Sequence, residues 1–413
     1  MKPLSDRTSH FTESVIRYMT RIAYSCGAVN LSQGFPDFDP PVELQNRMAE
    51  VAKSGPHQYA LTIGAKNFRE AVCNKQEHFS GMRFDPEKEC VITCGSTEAM
   101  MITMMSVCNP GDKVVIFSPF YENYTADTIL SGATPIYVPL NPDDFTFDAN
   151  VLEDAMKQPG VKALVLCNPS NPSGKVFTRA ELQIIADLAI KYDLYVITDE
   201  VYEHIIFAPH VHTHMATLPG MRERTIECSS LSKTYSITGW RLGYILAPEP
   251  IMERIKKVHD FTVVGASSPL QEVGVTAMNF GDEYYTGLQA HYTHMKELFT
   301  DGLRNLGFKF TEPQGTYFVM VDISEFGYDR KLASLVASGS AAGLGIGMTG
   351  SGSVRPDELF CMDLAKKVGV AAVPGSSFFR EPVNHLVRFH FAKKDETLID
   401  ALNRLESVRK LLK

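Results

Sequence analysis

The sequence has no apolar run long enough to cross a bilayer: its longest, AMMITMMSVC, is about half of the ~20 residues a helical span needs. The opening residues, MKPLSDRTSHFTES, also lack the apolar stretch of a signal peptide, so a cytoplasmic protein with no membrane association is expected. Basic clusters are missing too. With 40 Lys and Arg against 48 Asp and Glu, the formal charge is −8, and no Lys/Arg stripe offers the counterion-displacing surface that nucleic acid requires. The eight cysteines contain no CxxC pair and no paired spacing, which points to small reduced hydrophobes and against disulfides. No internal repeat is visible. At 413 residues, 44% hydrophobic and 21% charged, the chain suits a soluble protein with one large core and a smaller second domain.

What is present is an alternation. From about residue 90 to 250, the runs KVVIFS (113–118), VKALVLC (161–167), LYVIT (194–198), RTIECSS (224–230) and GYILA (243–247) read as buried strands. Between two of them Leu182, Ile185, Ala186 and Ala189 follow the spacing of an amphipathic helix. This is the pattern of an α/β sheet with helices on both faces. After about residue 285 longer helices give way to short strands such as TYFVMVDI and HLVRFHFA, which reads as a second, α+β part. The Gly/Ser-rich segment 334–353 is expected to be either a mobile connection or lid, or a solvated linker. In APHVHTHMA, His210, His212 and His214 alternate, but Pro209 before them suggests a loop, and no Cys or acidic residue adjoins them in sequence. They are expected to form an exposed polar loop, and no metal is expected.

In an open α/β sheet, ligands bind beyond the carboxyl ends of the strands, and four such ends here carry unusual polar groups. Gly95, Ser96 and Thr97 precede a helical run, so they either present backbone N–H groups to a phosphate or simply cap the helix. NPSNPSG (168–174) makes a rigid turn exposing an amide. Asp199 ends an apolar strand, where a buried carboxylate requires a cationic partner. Lys233 follows RTIECSS in SSLSKTYSITGWRLGY, among small hydroxyl residues with Arg241 eight positions on. Bringing an amine from a pKa of ~10.4 to near 7 takes about 4 to 5 kcal/mol of environmental bias, and burial beside a second cation pushes that way. A carboxylate, a phosphate cup, an amine and an aromatic ring match the needs of pyridoxal phosphate (PLP).

In the order QGFPDF, QYALTIGAKNFREAV, GSTEAM, NPSNPSGKVF, DEVYEHI, LSKTYSITGWRLG, PQGTYF, VPGSSF and VRFHFA, the chain resembles class I and II aminotransferases of PLP fold type I, nearest the glutamine, methionine and kynurenine transaminase branch. The resemblance implies a large PLP-binding domain over 46–290, with a mostly parallel seven-stranded sheet between helices, and a small α+β domain formed by 1–45 with 291–413. It implies that Lys233 is the Schiff-base lysine and proton carrier. Asp199 would pair with the pyridine nitrogen, Tyr202 and Asn171 would bond the phenolic oxygen, and Tyr121 would stack on the ring. Ser96, Thr97, Ser230 and Arg241 would hold the phosphate, and Tyr59 would reach the phosphate of a neighbouring subunit, making the active unit a homodimer. Gly34, Asn171 and Arg388 would receive the substrate carboxylate.

The chain departs from the kynurenine-using members at TVVGASS, where Val264 and Gly265 stand in place of bulky aromatics, which counts against a preference for aromatic substrates, and from the family's usual small-domain connection in segment 334–353. The expected reaction is ping-pong exchange of an amino group between an L-amino acid and a 2-oxo acid. A lining of Val264, Tyr59 and Phe35 suits neutral, sulfur-containing, glutamine-like or aromatic amino acids, and no second arginine is evident for a distal carboxylate. A PLP-dependent carbon–sulfur β-lyase uses the same groups, and a PLP-binding regulatory module without turnover is a more remote alternative.

Overall fold

A computed structural model describes residues 2–10, 13–338 and 354–412. Most of the segment expected as a lid or linker, 339–353, lies outside the described residues. The strands are β1 (Val29–Asn30), β2 (Cys90–Thr93), β3 (Lys113–Ser118), β4 (Thr134–Pro139), β5 (Val161–Cys167), β6 (Tyr195–Asp199), β7 (Thr225–Ser230), β8 (Gly243–Leu246), β9 (Lys309–Phe310), β10 (Phe318–Asp322), β11 (Val370–Ala371), β12 (Val373–Pro374) and β13 (Leu386–His390). All five runs expected as strands are strands, to within a residue at either end.

The large sheet has seven strands in the order β2-β8-β7-β6-β5-β3-β4. Only β8 runs against its neighbours. Its inner strands are apolar on both faces because helices cover both, and Val114, Leu164, Val196 and Ile226 are fully buried. The helix Arg179–Lys191 turns Leu182, Ile185, Ala186 and Ala189 inward, and a capping box between Thr178 and Glu181 fixes its start. The helix Gly95–Val107 is apolar nearly all round because it packs inside the molecule.

Four antiparallel strands, β12-β13-β10-β9, form a second sheet, and β1 pairs in parallel with β11. The 24-residue helix Asp282–Asn305 runs through the expected boundary at 290. Residues from β10, β13, the start of the chain and the large sheet share one apolar core, so the second sheet is seated against the first. Register then decides where the chemistry lies. Cys167 pairs with Asp199 and Asp199 with Cys228, so the carboxyl ends of β5, β6 and β7 lie side by side, while Arg388 of β13 pairs with Met320 of β10.

Candidate active site

Beyond those strand ends lies a cavity of about 390 Å³. Gly34, Ser96, Thr97, Tyr121, Asn171, Asp199, Tyr202, Lys233, Arg241 and Arg388, expected from segments up to 350 residues apart, all stand on its wall. Two expected residues do not. Ser230 is buried behind the wall, where its hydroxyl accepts the Ser232 N–H at 3.3 Å, and Ser232 lines the cavity instead. Tyr59 is 89% exposed on the surface of the single chain.

Asp199 forms the buried floor. The Tyr124 hydroxyl donates to its Oδ2 at 2.7 Å and the Val201 N–H to its Oδ1 at 3.3 Å. Burial pushes this carboxyl above its ordinary range, against the pull of Tyr124, Val201 and the more distant Lys233 charge. The expected cationic partner is not a side chain. Among the described residues, no Lys, Arg or His makes an ion pair with Asp199, so a buried carboxylate faces the cavity with two neutral donors. A protonated ring nitrogen presented from the cavity would complete it.

At the opposite wall the helix Gly95–Val107 opens with no side-chain cap, which removes the simple capping role for Ser96 and Thr97. The N–H groups of Gly95, Ser96 and Thr97 have no carbonyl one turn earlier in their own helix to bond. Beside them Arg241, in the left-handed region at φ 59°, donates Nη2–H to the Cys94 carbonyl at 3.3 Å and Nη1–H to that of Thr238 at 3.0 Å. A guanidinium is thereby held next to the positive end of a helix, an arrangement that an anion between them stabilises. Gly95 permits the approach: its φ is +78°, and a Cβ there would lie 2.3 Å from Arg241 Nη2.

Between floor and cradle the Lys233 ammonium donates to the Gly34 carbonyl at 3.4 Å, and lies 5.9 Å from the centres of the Tyr202 and Tyr317 rings. Tyr317 also donates to Gly34, at 2.8 Å. A side chain at Gly34 would stand 2.7 Å from Phe318, so only glycine lets this carbonyl reach both donors. Tyr202 is buried edge-on against Tyr317, and burial pushes its phenol well above the ordinary value. Tyr121 is likewise pushed up to about 12 by burial.

Arg388 is 1% exposed and held between the Phe318 and Phe378 rings, at 4.2 and 4.6 Å. Nη1–H donates to Asn171 Oδ1 at 2.7 Å and Nη2–H to the Ser32 carbonyl at 3.0 Å, while Nε has no partner. Burial lowers its pKa to about 10. A buried guanidinium with no carboxylate is incomplete, and a carboxylate presented from the cavity would complete it.

These residues therefore fit PLP: a buried carboxylate without a cation, an anion cradle, an amine between them, and a guanidinium awaiting an acid. The family profile described as aminotransferase class I and II matches residues 27–405. The chain belongs to the class I and II aminotransferases. It is 33% identical to the methionine aminotransferase of Escherichia coli over 396 residues, covering 96% of each chain. It is 31% identical to human kynurenine–oxoglutarate transaminase 3 over 401 residues, covering 92% of this chain and 84% of that protein. The solved N-succinyldiaminopimelate aminotransferase of Mycobacterium tuberculosis superposes with a TM-score of 0.88 at 33% identity, covering 98% of this chain and all of that one. The protein is thus a PLP-dependent aminotransferase of fold type I.

Sequence reasoning missed Tyr124, three residues after Tyr121 in SPFYENY; a second tyrosine one helical turn on was the available signal. It also left Arg17 unnamed, a third arginine on the cavity wall with Arg241 and Arg388, from the first turn of the helix Val15–Cys26. The histidines were misplaced. His214 is 6% exposed and the His212 side chain 8%, because Glu200 and Glu203, on the turn that follows β6, bond or face them. The cysteines are all free, with Cys73, Cys90, Cys108, Cys228 and Cys361 buried.

Proposed function

We propose that this aminotransferase works by a ping-pong exchange between a neutral L-amino acid and a 2-oxo acid, as a cytoplasmic homodimer. The observation that carries the reading is Arg388, a buried guanidinium that makes no ion pair among the described residues and shares the cavity wall with Lys233. PLP, when bound, supplies an electron sink that weakens the bonds to the substrate Cα.

The chain's own residues do the rest. Arg388 and Asn171 orient the substrate by its carboxylate, which presents the Cα proton to Lys233. Lys233 takes that proton and delivers it, with the Gly34 carbonyl holding its ammonium form in place. Asp199, steadied by Tyr124, keeps the opposing ring nitrogen protonated. Tyr202 and the amide nitrogen of Asn171 would hold the phenolic oxygen, and the cradle at Ser96, Thr97 and Arg241 would take the phosphate. The divisions 46–290 and 1–45 with 291–413 act as the large and small domains, meeting at this cavity.

Phe35 on the wall supports an apolar or sulfur-containing side chain. The homodimer is supported by exposed apolar residues on two adjoining segments: Tyr59 and Leu61 on one, Phe261, Val263 and Val264 on the other. The His259 ring bonds the Thr62 carbonyl at 2.7 Å and Ser268 Oγ accepts the Ala60 N–H at 2.8 Å, joining the segments into one patch. In a dimer built on this patch, Tyr59 reaches the partner's phosphate cradle. Mixing the inactive variants Tyr59→Ala and Lys233→Ala restores activity if the sites are shared; no restoration refutes the shared site.

Arg17 favours a second reading, in which one of the two substrates carries a distal carboxylate. A half-reaction screen decides: purified holoenzyme is mixed with each amino acid in turn and the visible absorbance of the cofactor is followed. Methionine, glutamine or aromatic acids should convert it fastest. Conversion by dicarboxylic acids alone transfers the assignment to the second reading, and release of pyruvate, ammonia and a thiol from a cysteine conjugate in place of a new amino acid overturns transamination as the main reaction.

A further inference from the structure

The turn after β6 carries chemistry that the aminotransferase reaction does not use. Glu200 and Glu203 point away from the PLP cavity toward His212 and His214, and one donor atom from each of the four lies within 4.8 Å of the others. We propose that these four side chains form a binding site for a divalent first-row transition ion, of which Zn²⁺ is the type. Two imidazoles with two carboxylates suit that class, whereas Mg²⁺ and Ca²⁺ prefer oxygen alone.

The geometry supports more than proximity. Each carboxylate has one oxygen already engaged: Thr198 Oγ1–H donates to Glu200 Oε1 at 2.9 Å, and Lys75 donates to Glu203 Oε1. The second oxygens turn to the imidazoles. Glu200 Oε2 is 3.1 Å from His212 Nε2 and 2.6 Å from His214 Nδ1, and Glu203 Oε2 is 3.9 Å from His214 Nε2. Tetrahedral ligands at 2.0–2.1 Å from zinc stand about 3.3 Å apart; Glu200 Oε2 already stands near that distance from His212 Nε2, and the widest separation of the four, 4.8 Å, must close by roughly 1.5 Å. Such a closure is within rotamer adjustment of Glu and His.

Hydrogen bonding within the cluster is crowded at His214 Nδ1. The Gln76 amide nitrogen, which donates to Glu227 Oε2 at 2.9 Å, also faces His214 Nδ1 at 3.2 Å, and the same Nδ1 faces Glu200 Oε2. A nitrogen cannot accept from the amide and donate to the carboxylate together. Glu227 Oε1 and His212 Nδ1 are buried with no partner at all. Among the described residues the three buried acids Glu200, Glu203 and Glu227 have Lys75 as their only ion-paired cation besides histidines. A divalent ion placed between the two imidazoles and the two carboxylates would add a cation where Glu200 and Glu203 now ion-pair only with Lys75 and imidazoles. An entry path exists: a solvent-open cavity of about 560 Å³ is lined by Glu203, His204, His212 and His214.

The test uses chelator-treated, PLP-loaded enzyme titrated with Zn²⁺ alone, with bound metal measured by mass spectrometry and affinity by calorimetry. One ion per subunit is expected, and His212→Gln and Glu200→Gln should each weaken it at least tenfold while cofactor absorbance is retained. His212 reaches the open cavity, so its variant is the one least exposed to a folding defect; unchanged melting without metal certifies it. Binding below one ion per two subunits, or weakened less than tenfold in His212→Gln, overturns the proposal. So does anomalous scattering at the zinc edge that places the ion at the exposed His78–Asp282 pair or on the Lys233 side of the molecule.

Discussion

Tyr124→Phe tests whether Asp199 depends on a partner the family motif does not name. The substitution keeps the ring, and its edge contact with Tyr121 at 5.8 Å, but deletes the 2.7 Å donor to Asp199 Oδ2. Only the Val201 N–H at 3.3 Å then remains on the carboxylate. A hydrogen bond to a charged group contributes about 1.5 to 3 kcal/mol, and each 1.4 kcal/mol is a factor of ten, so the loss corresponds to roughly 10- to 150-fold. Its direction follows from burial. Desolvation already pushes the Asp199 carboxyl up, Tyr124 is the largest force pulling it down, and without that hydroxyl the carboxyl holds its proton more readily and the ring nitrogen loses its counterion. Single-turnover rates with a good amino donor should fall by that factor while substrate KM changes less than threefold, because Arg388 is untouched. Tyr121→Phe, which removes no bond to Asp199, is the control. Wild-type rates in Tyr124→Phe, or a loss confined to KM, refute the role given to Tyr124.

Other substitutions probe the remaining walls. Asp127 is 3% exposed with Oδ2 unpartnered, and burial first, then Asp199, pushes its carboxyl from 3.8 to about 8. A raised value means its favourable contribution is complete below about pH 4 and is lost as pH rises through about 8, so Asp127→Asn should stabilise the apoenzyme above pH 8 by a few kcal/mol and leave it unchanged near pH 4. Denaturant melts at both pH values check this; equal stability gains at the two refute it. Gly95→Ala should release PLP at least tenfold faster on dialysis, because the new Cβ meets Arg241 at 2.3 Å, whereas Gly111→Ala, at φ +94° in open space, carries the backbone strain alone and should retain it. Arg388→Lys keeps the charge but cannot fill the slot between Phe318 and Phe378, and substrate KM should rise about 100-fold with a smaller change in kcat. An unchanged KM sinks the assignment of Arg388 to the carboxylate.

The sheet was legible because its strands are short, β-branched and buried on both faces, a pattern that local chemistry alone produces. The site was legible where a motif is local: Lys233 to Arg241 lie within nine residues, and Gly95 to Thr97 sit where a strand meets a helix. What sequence could not carry was pairing across distance. Asp199 was expected to need a cation, but its nearest donors are neutral and come from Tyr124, 75 residues away, and from Val201. Arg17 reaches the cavity because the helix Val15–Cys26 buries Val15 and Met19 in the core and leaves Arg17 on the wall, a pairing set by tertiary packing. Beside Ser230, at the end of β7, the turn also sets Ser232 on the wall, a residue that the strand-end pattern did not single out.

One turn joins the two chemistries of this molecule. Asp199 and Tyr202 face the PLP cavity, while Glu203, one residue on, lines the histidine cavity, so both walls share the backbone of DEVYEHI. Apolar burial alone cannot explain such a turn, since Asp199, Glu200 and Glu203 are all buried within five residues and like charges this close repel. Each acid must be answered from outside the turn. Lys75 answers Glu203 and the histidines answer Glu200, leaving Asp199 for the cofactor. Positioning of the catalytic carboxylate therefore depends on how the two acids behind it are neutralised, and a cation bound there would hold Asp199 and Tyr202 in place through the chain they share.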